Sequence, residues 1–393
     1  MVGISTAEKA EALAQTLPSL ARSTRIRDIQ TWISDVPIKR PHILSNTNLA
    51  VQSYVHLRVQ LENGTVGWGE ASTLGGPRWA EESVEAIQAN IIRYLAPVLI
   101  GQPACQFELI HMLLNRAAVR NNSAKAAISM AIHDAVGRTL DVPAAQFLGG
   151  VVETSFRTIW GLSIGDAERE IQEAKNHIAA GLFNRFKIKL GLQPRAQELE
   201  RLKAIRTGVG DDIELIVDIN QAWSEASCSR FLPILEELDI ALIEQPLPAD
   251  QIFAQGRAAS RTRIPFMMDE CSFGATDALN GLRVGAGSVL SLKLVKSGGL
   301  PELKRTAAVA SAFGAELFGG CLLESSLGAA AHLQAFASLP ELHWGTEHFG
   351  PQIIIDDLTK TPLRYENFRV HLPEGPGLGL EPDLDRLKEI RRK

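Results

Sequence analysis

Phe186-Lys187-Ile188-Lys189-Leu190 is the stretch on which the reading of this chain turns. Two lysines flank one isoleucine inside an apolar run, and in a β-strand residues i and i+2 share a face. Both ammonium groups therefore point the same way. Like charges held together in a partly dry place resist protonation, so one of the pair is expected to be neutral near pH 7 and competent as a general base. Standing alone, the stretch also suits an edge strand whose lysines discourage pairing with other chains. The residues downstream decide between the two.

From residue 151 onward short apolar runs alternate with amphipathic helical segments. The predicted strands are Phe156–Ile164, Arg185–Leu190, Leu215–Asn220, Ala241–Gln245, Pro265–Asp269, Val289–Leu294, Ala315–Gly319 and Leu342–Glu347. Helices are predicted between them, for example Asp166–Ala180, Pro194–Thr207 and Leu300–Phe313. Eight strands at near-even spacing predict a (β/α)8 barrel, with a doubly wound open sheet as the structural alternative. Little helix follows Glu347, and the tail from Pro351 is rich in proline and glycine. It is expected to leave the barrel and pack elsewhere.

The N-terminal part has a different rhythm. Ile26–Val36 and Ala50–Leu61 read as strands, and Asn63-Gly64 supplies a hairpin turn into Val66-Gly67-Trp68-Gly69-Glu70. From Ala80 to about Leu148 the pattern is helical, alanine-rich around Ala124–Ala131. The expected fold class is α/β: a modified (β/α)8, TIM-type barrel with an N-terminal α+β capping domain. The expected boundaries are 1–150 for the cap, 151–350 for the barrel and 351–393 for a C-terminal segment returning toward the cap.

At 393 residues with 45% apolar side chains the chain supports a large core, and its net charge of −5 leaves no basic footprint for nucleic acid. The four cysteines, Cys105, Cys228, Cys271 and Cys321, are scattered and form no C-x-x-C pair, as suits a reducing compartment. The stretch through Arg22 is amphipathic and broken by Glu8, Lys9 and Glu11, so it lacks the apolar core of a signal peptide. No run is long enough to span a membrane, and a cytoplasmic location is expected.

The polar residues near the C-terminal ends of the predicted strands carry the chemistry. After Lys187 and Lys189 come Asp218 and Asn220, then Glu244, Asp269, Lys293 and Glu324. From Lys189 the steps to Asp218, Glu244, Asp269, Lys293 and Glu324 are 29, 26, 25, 24 and 31 residues, each about one strand–helix unit. A barrel gathers those strand ends around one mouth. Asp218, Glu244 and Asp269 would then be neighbours, and three unpartnered carboxylates call for a divalent cation. Oxygen ligands without Cys or His favour Mg²⁺ or Mn²⁺. Lysines on opposite sides of such an ion suit proton transfer α to a carboxylate.

These residues resemble the enolase superfamily in its muconate-lactonizing branch. The resemblance is carried by Lys187-Ile188-Lys189, Asp218-Ile219-Asn220-Gln221, Glu244-Gln245-Pro246, Asp269-Glu270 and Lys293-Leu294-Val295-Lys296-Ser297-Gly298-Gly299. Gly319–Ser326, His343–Pro351, Arg40-Pro41-His42 and Gly69–Gly76 are most similar to the muconate cycloisomerases of that branch. The resemblance implies interconversion of cis,cis-muconate, or a substituted muconate, and muconolactone through an enediolate, in aromatic catabolism. It implies Lys189 as the acid or base, Lys187 as the residue that holds the substrate carboxylate and depresses the pKa of Lys189, and Lys293 as stabiliser from the far face. Glu324 would orient or neutralise lysine charge, Asp218, Glu244 and Asp269 would bind the metal, and Asn220, Glu270, His42, Trp79 and Cys321 would support the site or touch substrate. A homo-oligomer, often octameric, is also implied. Trp79 stands where a tyrosine nearby is expected, and Cys321 where threonine is common, so the preferred muconate stays open.

Two groups of rivals remain. N-acylamino acid racemase, o-succinylbenzoate synthase and dipeptide epimerase share the lysines and the metal, but the epimerases usually carry an Asp-x-Asp pair where this chain has Thr346-Glu347-His348. Gly161-Leu162-Ser163-Ile164-Gly165 matches the nucleophile elbow of serine hydrolases, with Asp269 and His343 or His348 as partners to be recruited. That account leaves the lysines unused.

Overall fold

The computed structural model describes residues 19–45 and 47–392. Most of the amphipathic stretch before Arg22 lies outside them. Strands β1 (Ile26–Leu44), β2 (Thr47–Leu61) and β3 (Val66–Thr73) form an antiparallel sheet of that order. The first two run further than predicted, because β1 continues beyond Val36 after a register break between Pro37 and His42. That break falls at Arg40-Pro41, where proline cannot donate to the ladder. Past it, Ile43 N donates to the Ser163 carbonyl at 3.0 Å, which delivers His42 to the barrel.

β3 rests on helix α1 (Asn122–Leu140), which is buried on all sides from Ser123 to Gly137. A Cβ at Gly67 or Gly69 would stand 2.1 or 2.0 Å from the carbonyl oxygens of Ala131 and Ala127. Glycine at these alternate positions is what lets sheet and helix touch.

Seven parallel strands follow: β4 (Trp160–Leu162), β5 (Arg185–Lys189), β6 (Glu214–Asp218), β7 (Ile240–Glu244), β8 (Phe266–Met268), β9 (Val289–Leu292) and β10 (Glu316–Gly319), neighbours in chain order. The predicted first strand, Phe156–Ile164, is divided: Ser155–Arg157 pairs with Arg369–His371 of the tail, and only Trp160–Leu162 joins the barrel sheet. The predicted eighth strand, Leu342–Glu347, is not a strand. Gly345 turns back with φ of +71°, and the ring closes through single parallel bridges from Thr346 to Thr158 and to Gly319.

Inside the ring Ile159, Ile216, Leu242, Met267, Val289 and Phe318 pack as a separate apolar floor. Two residues further along the same strands stand Asp218, Glu244, Asp269 and Ser291. The acids therefore occupy one period-two step above the floor. The tail crosses back to the N-terminal layer, where Leu378 N donates to Asp134 Oδ1 at 2.9 Å and Arg392 Nη2 to Asp35 Oδ1 at 2.6 Å. No helix among the described residues is long and apolar enough to cross a membrane.

Candidate active site

Lys187 and Lys189 both point into the ring from β5, whose five residues are all buried. Lys187 Nζ lies between Glu244 Oε2, at 2.5 Å, and Glu347 Oε2, with the Phe318 ring centroid 4.5 Å away. Lys189 Nζ donates to Asp218 Oδ2 at 2.5 Å and to Asn220 Oδ1 at 3.2 Å. Burial opposes the charge on Lys187, but Glu244 and Glu347 outweigh it and hold the ammonium well above its ordinary range. For Lys189 burial again opposes, and so does Lys187, yet Asp218 carries the balance upward. The expectation of a neutral lysine is corrected on this point: with the acids turned toward the amines, both lysines are held charged.

On the opposite side Lys293 Nζ donates to Asp269 Oδ2 at 2.6 Å, and Lys296 Nζ to Asp269 Oδ1 at 2.8 Å. Burial would raise the Asp269 carboxyl, but the two lysines drive it far below the carboxylate range. The Lys293 ammonium sits 4.4 Å over the ring of Trp79, from the loop after β3. Trp79 is buried, and with Glu270, Cys271 and Phe273 it borders an open cleft of about 460 Å³.

The three acids line neighbouring strands, with Asp218 directly opposite Glu244 in the ladder. Their oxygens do not close to within 4.8 Å of one another, a spacing reached by Glu324, His332 and His348. The reason is electrostatic: each acid is drawn to a lysine. Apart from the Lys187 ammonium, neither oxygen of Glu244 has a hydrogen-bond partner, although the residue is completely buried. Burial, then Asp218, push its carboxyl well above 4.5. A buried carboxylate met only by the Lys187 ammonium, and flanked by acids that offer only oxygen, fits a hard divalent ion. Asn220 and Gln245, just past Asp218 and Glu244, sit at φ of +42° and +32°, strained backbone at the rim of the site. Asn220 Nδ2 donates to Glu270 Oε1 at 3.1 Å, which ties the two together. Burial and the charges of Asp269 and Asp218 raise the Glu270 carboxyl to about 7.

Glu324 lies past β10 and folds back on the Leu322 N–H, which reaches its two oxygens at 3.0 and 2.9 Å. Cys321 N donates to Glu347 Oε1 at 3.1 Å, and burial pushes the Cys321 thiol well above 9. Two members of this arrangement escaped the sequence reading as site residues, Glu347 and Lys296. The signal for the first was an acid ending the last predicted strand; for the second, a lysine three residues past Lys293 in a short helix, Leu294–Ser297.

Two family models match the chain. Residues 28–149 match the mandelate racemase/muconate lactonizing enzyme N-terminal domain, and residues 169–386 the enolase C-terminal domain-like model. The chain belongs to the mandelate racemase/muconate lactonizing enzyme family. It is similar to the chloromuconate cycloisomerase of Pseudomonas sp. (strain P51), 40% identical over 94% of this chain and 99% of the relative. It is also similar to muconate cycloisomerase 1 of Acinetobacter baylyi, 36% identical over 93% of this chain and 99% of that one. Among solved structures, the muconate lactonizing enzyme of Pseudomonas fluorescens complexed with muconolactone superposes with a TM-score of 0.93 at 37% identity, covering 94% of this chain and all 100% of that one.

Within this muconate-lactonizing-type enzyme Ser163 meets none of the expected hydrolase partners Asp269, His343 and His348. Its Oγ lies 2.6 Å from His42 Nδ1 and accepts from Arg40 Nη1 at 3.1 Å. Asp269 is committed to Lys293 and Lys296, His343 lies beside Glu341, and His348 faces Glu324. The nucleophile-elbow expectation is therefore overturned. Ser163 holds His42 instead, and burial, then the charges of Lys189, Arg40 and Lys187, keep that imidazole neutral.

Proposed function

We propose that this enzyme is a divalent-metal-dependent cycloisomerase. It interconverts cis,cis-muconate, or a chloro- or methyl-substituted muconate, with the muconolactone through an enediolate of the substrate. The observation that carries the reading is the opposition of two buried ammonium groups across the ring. Lys189 stands on β5 and Lys293 just past β9, each against an acid of the intervening strands at 2.5 and 2.6 Å. Proton transfer at a carbon beside a carboxylate needs positive charge on both faces of the forming anion.

Asp218, Glu244 and Asp269 would hold Mg²⁺ or Mn²⁺. When bound, the ion neutralises the substrate carboxylate and so lowers the cost of charge on its α-carbon. Lys189 delivers a proton to that carbon when the lactone forms and removes it when the ring opens. Lys187, gripped by Glu244 and Glu347, holds a carboxylate oxygen and disfavours charge on Lys189 once Asp218 is engaged elsewhere. Lys293 stabilises the anion from the far face. Asn220 and Glu270 orient Lys189, while His42, Trp79 and Cys321 border the substrate. The relatives include both muconate and chloromuconate cycloisomerases, and the reading assigns the choice of substituent to those border residues.

The test follows the ultraviolet loss of cis,cis-muconate, 2-chloromuconate and 3-methylmuconate with Mn²⁺, beside racemisation of an N-succinyl amino acid. Loss of a muconate with no racemisation is expected. Racemisation without muconate turnover contradicts the reading and favours the racemase alternative.

A further inference from the structure

Three buried acceptor groups meet beside the mouth, and the hydrogen bonds around them supply no proton to the space between. Glu324 Oε1 lies 3.9 Å from His332 Nε2, and Glu324 Oε2 lies 3.8 Å from His348 Nε2. His332 Nε2 accepts the Leu294 N–H at 3.0 Å, so its ring proton is on Nδ1, 2.9 Å from the Gly328 carbonyl. Thr346 Oγ1 donates to the Gly319 carbonyl at 3.0 Å, so it must receive the proton of His348 Nδ1, 2.6 Å away. His348 Nε2 is then a bare lone pair, buried and without a partner, directed at a carboxyl group. Lone pair against carboxylate is repulsive, and a shared proton reverses the sign.

We propose that Glu324 works as a neutral carboxylic acid whose proton is held by His348 Nε2, which makes His348 a positioning residue for Glu324. A small rotation of the carboxyl group brings the 3.8 Å separation into hydrogen-bond range. A metal ion is the other occupant that three acceptors invite. The His332 lone pair is already spent on Leu294, which leaves two ligand atoms, and one proton satisfies both.

The groups that face Glu324 are Lys293 from the end of β9, Glu347 and His348 from the closing segment, His332 from the helix Ser326–Ala337, Glu70 and Tyr54 from the N-terminal sheet, and Cys321. Burial raises the Glu324 carboxyl to about 7, with Glu347 adding to the rise and backbone N–H groups and Lys293 opposing it. Burial, His332 and Lys293 keep the His348 ring well below 6.5, so the shared proton resides on oxygen. An uncharged Glu324 removes one anion from the path of a dicarboxylate. That consequence rests on the function proposed above.

Difference infrared spectra of wild type against Glu324→Gln, recorded through a pH titration, test the proposal without turnover. A protonated-carboxyl C=O band is expected in wild type at about pH 6, fading as pH rises through about 7. His348→Phe should move that midpoint down by about one pH unit, and His348→Gln, whose amide oxygen accepts the same proton, should restore it. In turnover the alkaline limb of kcat/KM should follow the same shifts. Absence of the band, or an unchanged midpoint in a folded His348→Phe protein, overturns the proposal. So does a second divalent ion per chain that His348→Phe loses. If His348→Phe does not fold, a wild-type midpoint in His348→Gln supports the proposal and a shifted one counts against it. An enzyme that fails to turn over muconate yet shows the band sinks the cycloisomerase reading alone.

Discussion

The ammonium of Lys293 rests 4.4 Å above the indole of Trp79, so a loop of the N-terminal layer covers the lysine at the far side of the barrel mouth. The contact is buried at both partners. A cation–π pair is worth about 0.5–2 kcal/mol, most when desolvated, so Trp79→Ala should lower kcat/KM about 2- to 30-fold while Trp79→Phe keeps most of it. Steady-state kinetics on the preferred muconate measure this, and equal losses in the two variants would count against a role for the ring.

Among the described residues Lys187 is the one cation in ion-pair contact with both Glu244 and Glu347, with Lys189 and Lys293 acting on them from further away. Its replacement by methionine leaves Glu244 buried without its contact partner, and breaking a buried pair in this way costs about 3–5 kcal/mol. Urea unfolding of Lys187→Met in EDTA should show that loss. Added Mn²⁺ should recover part of it, because an ion that binds only the folded chain stabilises by mass action. No recovery with Mn²⁺ would argue against Glu244 as a ligand.

Glu70 gives a pH signature in stability. Burial lifts its carboxyl from 4.5 to about 8, against the hydrogen bonds from Ser325 that pull it down. Between those values the folded protein keeps a proton that the unfolded chain releases. The folded state's advantage is complete below about 4.5 and is lost as pH rises through about 8. Glu70→Gln removes the dependence, so its stability relative to wild type should climb between about pH 5 and 8, by on the order of a few kcal/mol. Thermal melts across that range decide it, and a flat difference would contradict the assignment.

Activity should vanish in EDTA and return with Mg²⁺ or Mn²⁺, whereas Ser163→Ala should stay folded and remain sensitive to chelator. Ser163 anchors His42 through a 2.6 Å contact, so a moderate loss in kcat/KM of about 10-fold is expected, the worth of one hydrogen bond. Insensitivity to EDTA would remove the metal from the account.

The barrel and most of its mouth were legible in the sequence because both follow short periods. Asp218, Glu244 and Asp269 stand two residues beyond Ile216, Leu242 and Met267, a period that any inward-facing strand displays. The closing segment was not legible as it is. Leu342–Glu347 is apolar enough for a strand, but Gly345 bends it, and closure depends on Thr346 finding Gly319 and Thr158. Glu347 and Lys296 were missed for a related reason: their roles come from which acid or lysine lies across the ring. The charge on the paired lysines was misjudged because acids one and two strands away swing to meet them, which spacing along the chain does not reveal. His332 and His348 approach Glu324 from a helix and a closing loop, so no periodicity marks them.

In the proposed reaction Lys189 moves the proton at the substrate's α-carbon. Exchange of that hydrogen of muconolactone with solvent deuterium, followed by proton NMR in the presence of Mn²⁺, isolates the step. Wild type should exchange it, and Lys189→Ala should be slower by about 100- to 10,000-fold, the usual worth of a positioned acid or base, while its Mn²⁺ binding and thermal melt survive. Exchange at near wild-type rate in a folded, metal-binding Lys189→Ala protein would show that another group moves this proton.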